Sequence, residues 1–177
     1  MPSLILVSVG LFVAACVGVD LRARRIPNGL SMTGIAAGVA LNGLCFGPRG
    51  VGASLAGCVL VVGLLLAPFA AGGIGGGDVK MMAALGALLG PRLGVASLLV
   101  GMILGGIVMA VHLARRGELG VRTVRIATMV HAAAVTGSIE PLRVSATAAD
   151  TIALPYSIPL GLGTLVVSAL AVTGGPW

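Results

Sequence analysis

The chain has 177 residues, of which 58% are hydrophobic and 9% are charged, and its mean hydropathy is +1.14. Soluble domains carry about 25% charged residues, and a chain of this length could not bury so much apolar surface in a soluble core. Composition therefore excludes an ordinary soluble domain and predicts a membrane protein. The net charge is +6, and in a membrane protein we interpret basic residues first as determinants of membrane topology. We therefore expect no nucleic-acid partner.

Cysteine and histidine are the usual soft metal ligands, and neither forms a ligand cluster here. Cys16, Cys45 and Cys58 each lie inside an apolar run and form no CxxC pair, so we interpret them as small buried hydrophobic residues. His112 and His131 have no companion at metal-ligand spacing. We therefore expect no metal site and no other cofactor.

Six apolar stretches follow one another along the chain, at residues 1–19, 30–46, 51–71, 79–89, 93–114 and 151–172. Five of them approach or exceed the roughly 20 residues that a transmembrane helix needs. The fourth covers only about 16 Å as a helix, against a hydrocarbon core of about 30 Å. We predict an all-α polytopic membrane bundle of six spans, the fourth short, forming a single domain over residues 1–177.

Basic residues set the predicted orientation, because positive charge is retained in the cytoplasm. A basic cluster follows the first stretch, which places that loop inside and the N-terminus outside. If the fourth stretch crosses, nine of the eleven basic residues lie inside and only Arg49 and Arg92 lie outside. We also expect residues 115–150 to form a cytoplasmic segment on the anionic inner leaflet, before the last span.

Two acidic residues lie nearest to membrane depth, where ionisable groups are costly and mark functional sites. Asp20 ends the first stretch and Asp78 begins the fourth, so the predicted topology places both at the cytoplasmic face. Two aspartates within a few ångströms of each other cannot both ionise cheaply, so they share a proton. The ionised one can then take a proton from water while the other donates to a carbonyl oxygen. This chemistry is amide hydrolysis without a covalent intermediate or a metal.

A glycine-rich run precedes Asp78, with five glycines among residues 72–77. Glycine adopts positive φ angles readily and lets another backbone approach closely. Such a run is a poor helix interior, and we expect Gly75, Gly76 and Gly77 to let a substrate backbone reach Asp78.

These segments resemble a known family. Residues 75–78 match the GxGD motif of intramembrane aspartyl proteases. Residues 20–28 are similar to the first-aspartate segment of type IV prepilin peptidases, in which an Asp precedes an Ile-Pro-Asn turn. Residues 78–86 are similar to the segment that follows that family's second aspartate, and Leu154-Pro155-Tyr156 resembles its Pro-aromatic element in the last span. The resemblance covers most of the chain.

The resemblance implies a membrane aspartyl endopeptidase of the bacterial inner membrane, with Asp20 and Asp78 as its catalytic pair. Its substrate would be a type IV or Flp-type prepilin, cut at the cytoplasmic face between a basic leader and a hydrophobic N-terminal helix. Larger members carry a cytoplasmic region with four cysteines and also methylate the new N-terminus. This chain begins with a span, so we do not expect methyltransferase activity. It is most similar to the short peptidases of tight-adherence (Flp) pilus systems.

Five further residues complete the predicted substrate site, and each has a purely structural alternative. Pro27 and Asn28 are expected to start the second helix, with Asn28 as its cap, and to contact substrate. Lys80 either tunes Asp78 or marks the cytoplasmic interface. Pro155 and Tyr156 are expected to line a substrate groove, because a proline-broken helix exposes backbone groups that need partners.

Two other classes of function remain open from the sequence. One is a small transporter whose membrane carboxylates bind protons or cations. Such a protein usually has internal repeats, but the glycine-rich run has no counterpart near residue 160. The other is a non-catalytic assembly subunit that packs through glycine-rich helices. That subunit would tolerate conservative changes at both acids, whereas a peptidase would not.

Overall fold

A computed structural model describes residues 3–71, 73–117, 120, 128 and 156–174. Over these residues the fold is entirely helical, which confirms the predicted helical membrane bundle. Its helices are α1 (Ser3–Ala23), α2 (Asn28–Phe46), α3 (Pro48–Ala70), α4 (Gly76–Arg115) and α5 (Ser157–Thr173). Helices α1 to α4 are long and apolar enough to cross a membrane, whereas α5 has 17 residues. Most of the predicted cytoplasmic segment, residues 115–150, lies outside the described residues.

The N-terminal part of α4 is the centre of the bundle. All ten residues from Met81 to Gly90 are buried, and α4 packs against α1, α2, α3 and α5. A helix that is apolar on every side is typical of a bundle core. Large apolar side chains elsewhere, such as Leu44 and Leu11, point outward, as expected for helices that face lipid.

Gly90 breaks α4 into two arms. Its φ of 75° and ψ of −179° are not helical, and it is followed by Pro91. A Cβ atom added to Gly94 would lie 3.0 Å from the Cα of Gly86, although eight residues of a straight helix span about 12 Å. The second arm therefore folds back on the first.

The fold-back places two of the predicted spans in one helix, so the structure has fewer long helices than the sequence predicts spans. The predicted fourth and fifth spans are two arms of the single element α4, and the expected loop at residues 90–92 is a break inside it. Among the described residues the structure thus gives four long candidate spans, not six. As a straight helix, α4 would be about 60 Å long, roughly twice the thickness of the hydrocarbon core.

Two buried polar side chains donate hydrogen bonds to the backbone carbonyl groups at this break. In an unbroken helix the Ala87 carbonyl would accept the N–H of residue 91, but Pro91 has none. Asn42 Nδ2 instead donates to the carbonyl oxygens of Ala87 at 3.2 Å and Leu88 at 3.1 Å. Ser54 Oγ also donates to the Ala87 oxygen, at 2.6 Å. Helices α2 and α3 therefore supply the donors that the broken helix lacks.

Replacing Asn42 by Leu is expected to destabilise the fold by about 1–3 kcal/mol, because it leaves a buried carbonyl without its donor. Ser54→Ala should cost less, since Asn42 still donates to Ala87. Thermal unfolding in detergent measures both. Thr33→Val is the control, because Thr33 is exposed on α2 and bonds only within its own helix turn. An Asn42→Leu protein as stable as this control would show that the break does not need the donor from Asn42.

Small residues allow the helices to approach closely. A Cβ atom on Gly38 of α2 would lie 2.7 Å from the carbonyl carbon of Ala87, and one on Gly163 of α5 would lie 2.6 Å from the Cα of Gly101. Both distances are shorter than real Cβ contacts. Close packing through glycine is the usual way in which membrane helices associate, and it fixes where the helix ends lie.

Candidate active site

Asp20 lies in the last turn of α1, and this helix ends with a residue in the left-handed conformation. Arg24 has φ 48°, a conformation that is uncommon for residues other than glycine. Its backbone N–H donates to the Asp20 carbonyl oxygen at 2.8 Å, which is the bond of an αL helix cap. The Asp20 side chain is half-buried, so its backbone is fixed while one side of the carboxylate remains accessible.

Ser157 contacts the Asp20 carboxylate directly. This serine is the first residue of α5 and is completely buried. Its Oγ donates to Asp20 Oδ2 at 2.5 Å, a contact between residues 137 positions apart in the chain. Sequence reasoning missed Ser157, because a serine at a helix start normally indicates a cap and nothing in its spacing indicates a partner on α1.

Asp78 lies in the first turn of α4, after Gly75 at the N-cap position. The Gly75 carbonyl accepts the N–H groups of Asp78 at 3.1 Å and Val79 at 3.3 Å. The Asp78 carboxylate lies close to Gly75, because its Oδ2 would be in tight contact with a Cβ atom at that position. The carboxylate therefore folds back over the positive end of the helix dipole, and it is half-buried.

The glycine-rich run does not use positive φ angles at the positions that the structure describes. Described glycines with positive φ are Gly47, Gly90 and Gly117, all outside the run. Gly75 is extended, with φ −73° and ψ 147°, and Gly76 and Gly77 already belong to α4.

The glycines next to Asp78 instead provide space. A Cβ atom on Gly75 would lie 3.3 Å from Asp78 Oδ2, which is a tight contact. One on Gly77 would lie 3.5 Å from Ile26 Cγ1. Ile26 is buried and belongs to the turn that follows Asp20. The first-aspartate turn thus packs on the helix start that carries the second aspartate.

The structure brings the two predicted catalytic residues together. Ile26, in the turn after Asp20, packs on Gly77, next to Asp78, and Ser157, which follows Tyr156, donates to the Asp20 carboxylate. These residues come from the end of α1 and the turn after it, from the start of α4 and from the start of α5, so three separate parts of the chain meet here. Their catalytic role stays a prediction. Among the described residues, no three His, Cys, Asp or Glu side chains form a group that could hold a metal ion.

Lys80 and Asn28 form a second link between the two aspartate segments. Lys80 Nζ donates to Asn28 Oδ1 at 2.7 Å, and both residues are exposed. Our prediction that Asn28 caps α2 is wrong. Pro27 occupies the N-cap position, in an extended conformation and without a side-chain capping bond, and the Asn28 side-chain oxygen accepts from Lys80 instead.

Tyr156 also lines an open apolar groove of about 210 Å³ between α5 and the second arm of α4. The groove is lined by Leu104, Gly105, Val108, Tyr156, Ile158, Pro159 and Leu162. A Cβ atom on Gly105 would lie 3.1 Å from Tyr156 Cε1, so the glycine leaves room for the ring. The groove begins beside Tyr156, which directly precedes Ser157, the residue that donates to Asp20. Pro155, the other predicted groove residue, lies outside the described residues.

Comparison with known protein families agrees with this geometry. The model of the type IV leader peptidase family matches residues 6–110, more than half of the chain. The match includes Asp20, the glycine-rich run and Asp78, whereas α5 lies beyond it. No curated protein and no solved structure matched the chain. With its long apolar helices the protein is a membrane peptidase, and the resemblance seen in the sequence is confirmed: the chain belongs to the type IV leader peptidase family.

Proposed function

We propose that this protein is an aspartyl endopeptidase that removes the leader peptide of type IV or Flp-type prepilins. The observation that supports this most strongly is the meeting of the two aspartate segments, which lie far apart in the chain: Ile26, in the turn after Asp20, packs on Gly77, next to Asp78. Both belong to the part of the chain that matches a leader peptidase family. Substrate would be a precursor with a basic leader and a hydrophobic N-terminal helix.

In the proposed reaction the two carboxylates share one proton and hold a water molecule between them. The ionised carboxylate takes a proton from this water as its oxygen attacks the scissile carbonyl carbon. The protonated carboxylate donates its proton to the carbonyl oxygen, giving a neutral tetrahedral intermediate. When the C–N bond breaks, the leaving amine takes the proton that the water lost. The second carboxylate takes a proton from one hydroxyl of the intermediate, so the new carboxylic acid forms and the pair again holds one shared proton. Each positioned proton transfer contributes about 10²–10⁴-fold to the rate.

We also propose six membrane crossings, with each arm of α4 and α5 crossing once and both aspartates at the cytoplasmic face of the inner membrane. The fold-back at Gly90 supports this topology, because it divides a 40-residue helix into two antiparallel arms. The charge distribution supports it too, because nine of the eleven basic residues would then be inside, next to the anionic leaflet. The short first arm would set the catalytic centre slightly inside the bilayer.

The apolar groove would receive the start of the precursor's hydrophobic helix, next to the bond that is cut. Tyr156 supports this assignment, because it lines the groove and directly precedes Ser157, which donates to Asp20. Gly75 and Gly77 would then leave room for the precursor backbone beside the carboxylate. Pro27, Asn28 and Lys80 surround the same edge of the site, where the basic leader would emerge into the cytoplasm.

Gly105→Leu is expected to reduce cleavage about tenfold or more, mainly through a higher KM, because the new side chain fills the groove and pushes against Tyr156. The matched control is Gly106→Leu. A Cβ atom on Gly106 would meet nothing within 4 Å, so this variant should cleave at the native rate. Steady-state cleavage of a precursor in detergent measures both. Equal rates for the two variants would place the substrate helix elsewhere.

The function is tested by reconstituting the purified chain in liposomes with a precursor of this kind. We expect a single cut between the basic leader and the apolar segment, on one side of the membrane. Vesicles loaded with a pH-sensitive dye test the transporter alternative in the same preparation. Proton or cation flux without cleavage would contradict the proposal in favour of a transporter. Neither flux nor cleavage of any precursor would favour an assembly subunit.

A further inference from the structure

The hydroxyl of Ser157 donates a hydrogen bond to the Asp20 carboxylate. Ser157 is completely buried, and its donation to Asp20 Oδ2 is its described side-chain hydrogen bond. A serine in the first turn of a helix often caps that helix, but α5 has Tyr156 at its N-cap position and no side-chain capping bond. The sequence position of Ser157 therefore does not account for its orientation.

Packing of the next turn of α5 fixes where this hydroxyl lies. A Cβ atom on Gly161 would lie 2.8 Å from Val13 Cγ1 and 3.6 Å from Met81 Cε. Val13 belongs to α1, which carries Asp20, and Met81 belongs to α4, which carries Asp78. One turn after Ser157, α5 thus packs closely against α1 and α4, the two helices that carry the aspartates. These contacts hold the start of α5, and with it the Ser157 hydroxyl, against the helices that carry the two aspartates.

We propose that Ser157 is a positioning residue for Asp20, a role that rests on the proposed aspartyl peptidase function. By donating to Oδ2, the hydroxyl fixes the plane of the carboxylate and leaves Oδ1 for the water and for Asp78. Without this bond the Asp20 side chain rotates among several orientations, of which few hold the attacking water correctly. A positional loss of this kind lowers the rate of the chemical step and leaves substrate binding intact.

The test compares Ser157→Ala with the native protein in steady-state cleavage of a precursor in detergent. We expect kcat to fall about 10–100-fold, as for the loss of one hydrogen bond to a charged group, while KM changes less than about twofold. Ser157→Thr restores the hydroxyl and is expected to recover most of kcat. Ser157→Cys keeps the size of the side chain but donates weakly, so its kcat should lie between those of Ala and Ser.

A matched control is available on the same helix. Ser168 is also buried in α5, but its hydroxyl has no hydrogen-bond partner within the described part of the chain. Ser168→Ala is therefore expected to leave kcat and KM unchanged. Thermal unfolding of every variant is measured in the same detergent and reports any loss of stability. If Ser157 had only a structural role, Ser157→Ala would lower the stability and leave kcat unchanged.

Two outcomes would overturn the inference. One is a Ser157→Ala protein with native kcat, and the other is a loss of rate that follows unfolding or KM and is not restored by threonine. In both cases the native chain still cleaves the precursor, so the proposed function stands. If the native chain itself cleaves no precursor, the proposed function fails first, which separates the two results.

Discussion

Asp20→Asn and Asp78→Asn are each expected to reduce leader removal by at least about 10³-fold, because each removes one partner of a shared proton transfer. An amide can neither take a proton from water nor give one to the scissile carbonyl. Because the two groups act as a unit, the double variant should be no worse than either single variant. Co-expression with a precursor, followed by the mobility shift of the processed product, measures all three proteins.

The matched control is the chain's third aspartate, Asp150, which lies outside the described residues. Asp150→Asn makes the same chemical change in the polar segment and is expected to process the precursor at the native rate. All variants should be compared at equal amounts in the membrane. Processing by either active-site amide variant at more than about a tenth of the native rate would remove the two-carboxylate mechanism.

Gly57→Leu is expected to destabilise the fold by about 3 kcal/mol or more, the upper end of overpacking effects. A Cβ atom on Gly57 would lie 2.6 Å from the carbonyl carbon of Gly90 and 2.9 Å from its Cα. These neighbours are backbone atoms at the break in α4, so no side-chain rotation can relieve the contact. Since α4 also carries Asp78, activity should be lost together with stability.

Gly63→Leu provides the control for this substitution. Gly63 lies on the same helix as Gly57, is exposed, and has nothing within 4 Å of an added Cβ atom. Thermal unfolding in detergent can be followed by reaction of a thiol dye with Cys16, which is completely buried, in a chain whose exposed Cys45 and half-buried Cys58 are changed to alanine. A Gly57→Leu protein that melts within about 2 °C of the Gly63→Leu protein would contradict the close approach of α3 and α4.

Much of the fold follows from the sequence, because apolar length is a strong signal for membrane helices. The helices α1, α2 and α3 lie close to their predicted bounds. The break at Gly90 was predicted as a loop between two spans, because Gly and Pro together are typical of a turn. In the structure the donors from Asn42 and Ser54 replace the missing backbone bonds, so helical geometry resumes at once. Such support from other helices is not visible in the local sequence.

The sequence predicts the two acidic residues of the candidate site but not the residues that surround them. Asp20 and Asp78 are conspicuous because acids are rare in this chain and costly at membrane depth. Ser157 carries no such signal, since a serine is a common residue in any membrane helix. The predicted cap at Asn28 failed because Pro27 takes the N-cap position and the Asn28 side chain accepts from Lys80 across the site. The local sequence does not show that contact.

The central claim is that the carboxylates of Asp20 and Asp78 occupy one site, and cross-linking tests this most directly. Cysteine is placed at both positions in a chain whose Cys16, Cys45 and Cys58 are changed to alanine. A bifunctional thiol reagent with a reach of about 10 Å, the range over which charges interact in salt solution, is then applied in native membranes. Asp20→Cys with Thr173→Cys is the control pair, because Thr173 lies at the opposite end of α5 from Ser157, about 24 Å away. We expect an intramolecular cross-link for the aspartate pair and none for the control. An aspartate pair that reacts no better than the control would contradict a shared catalytic centre.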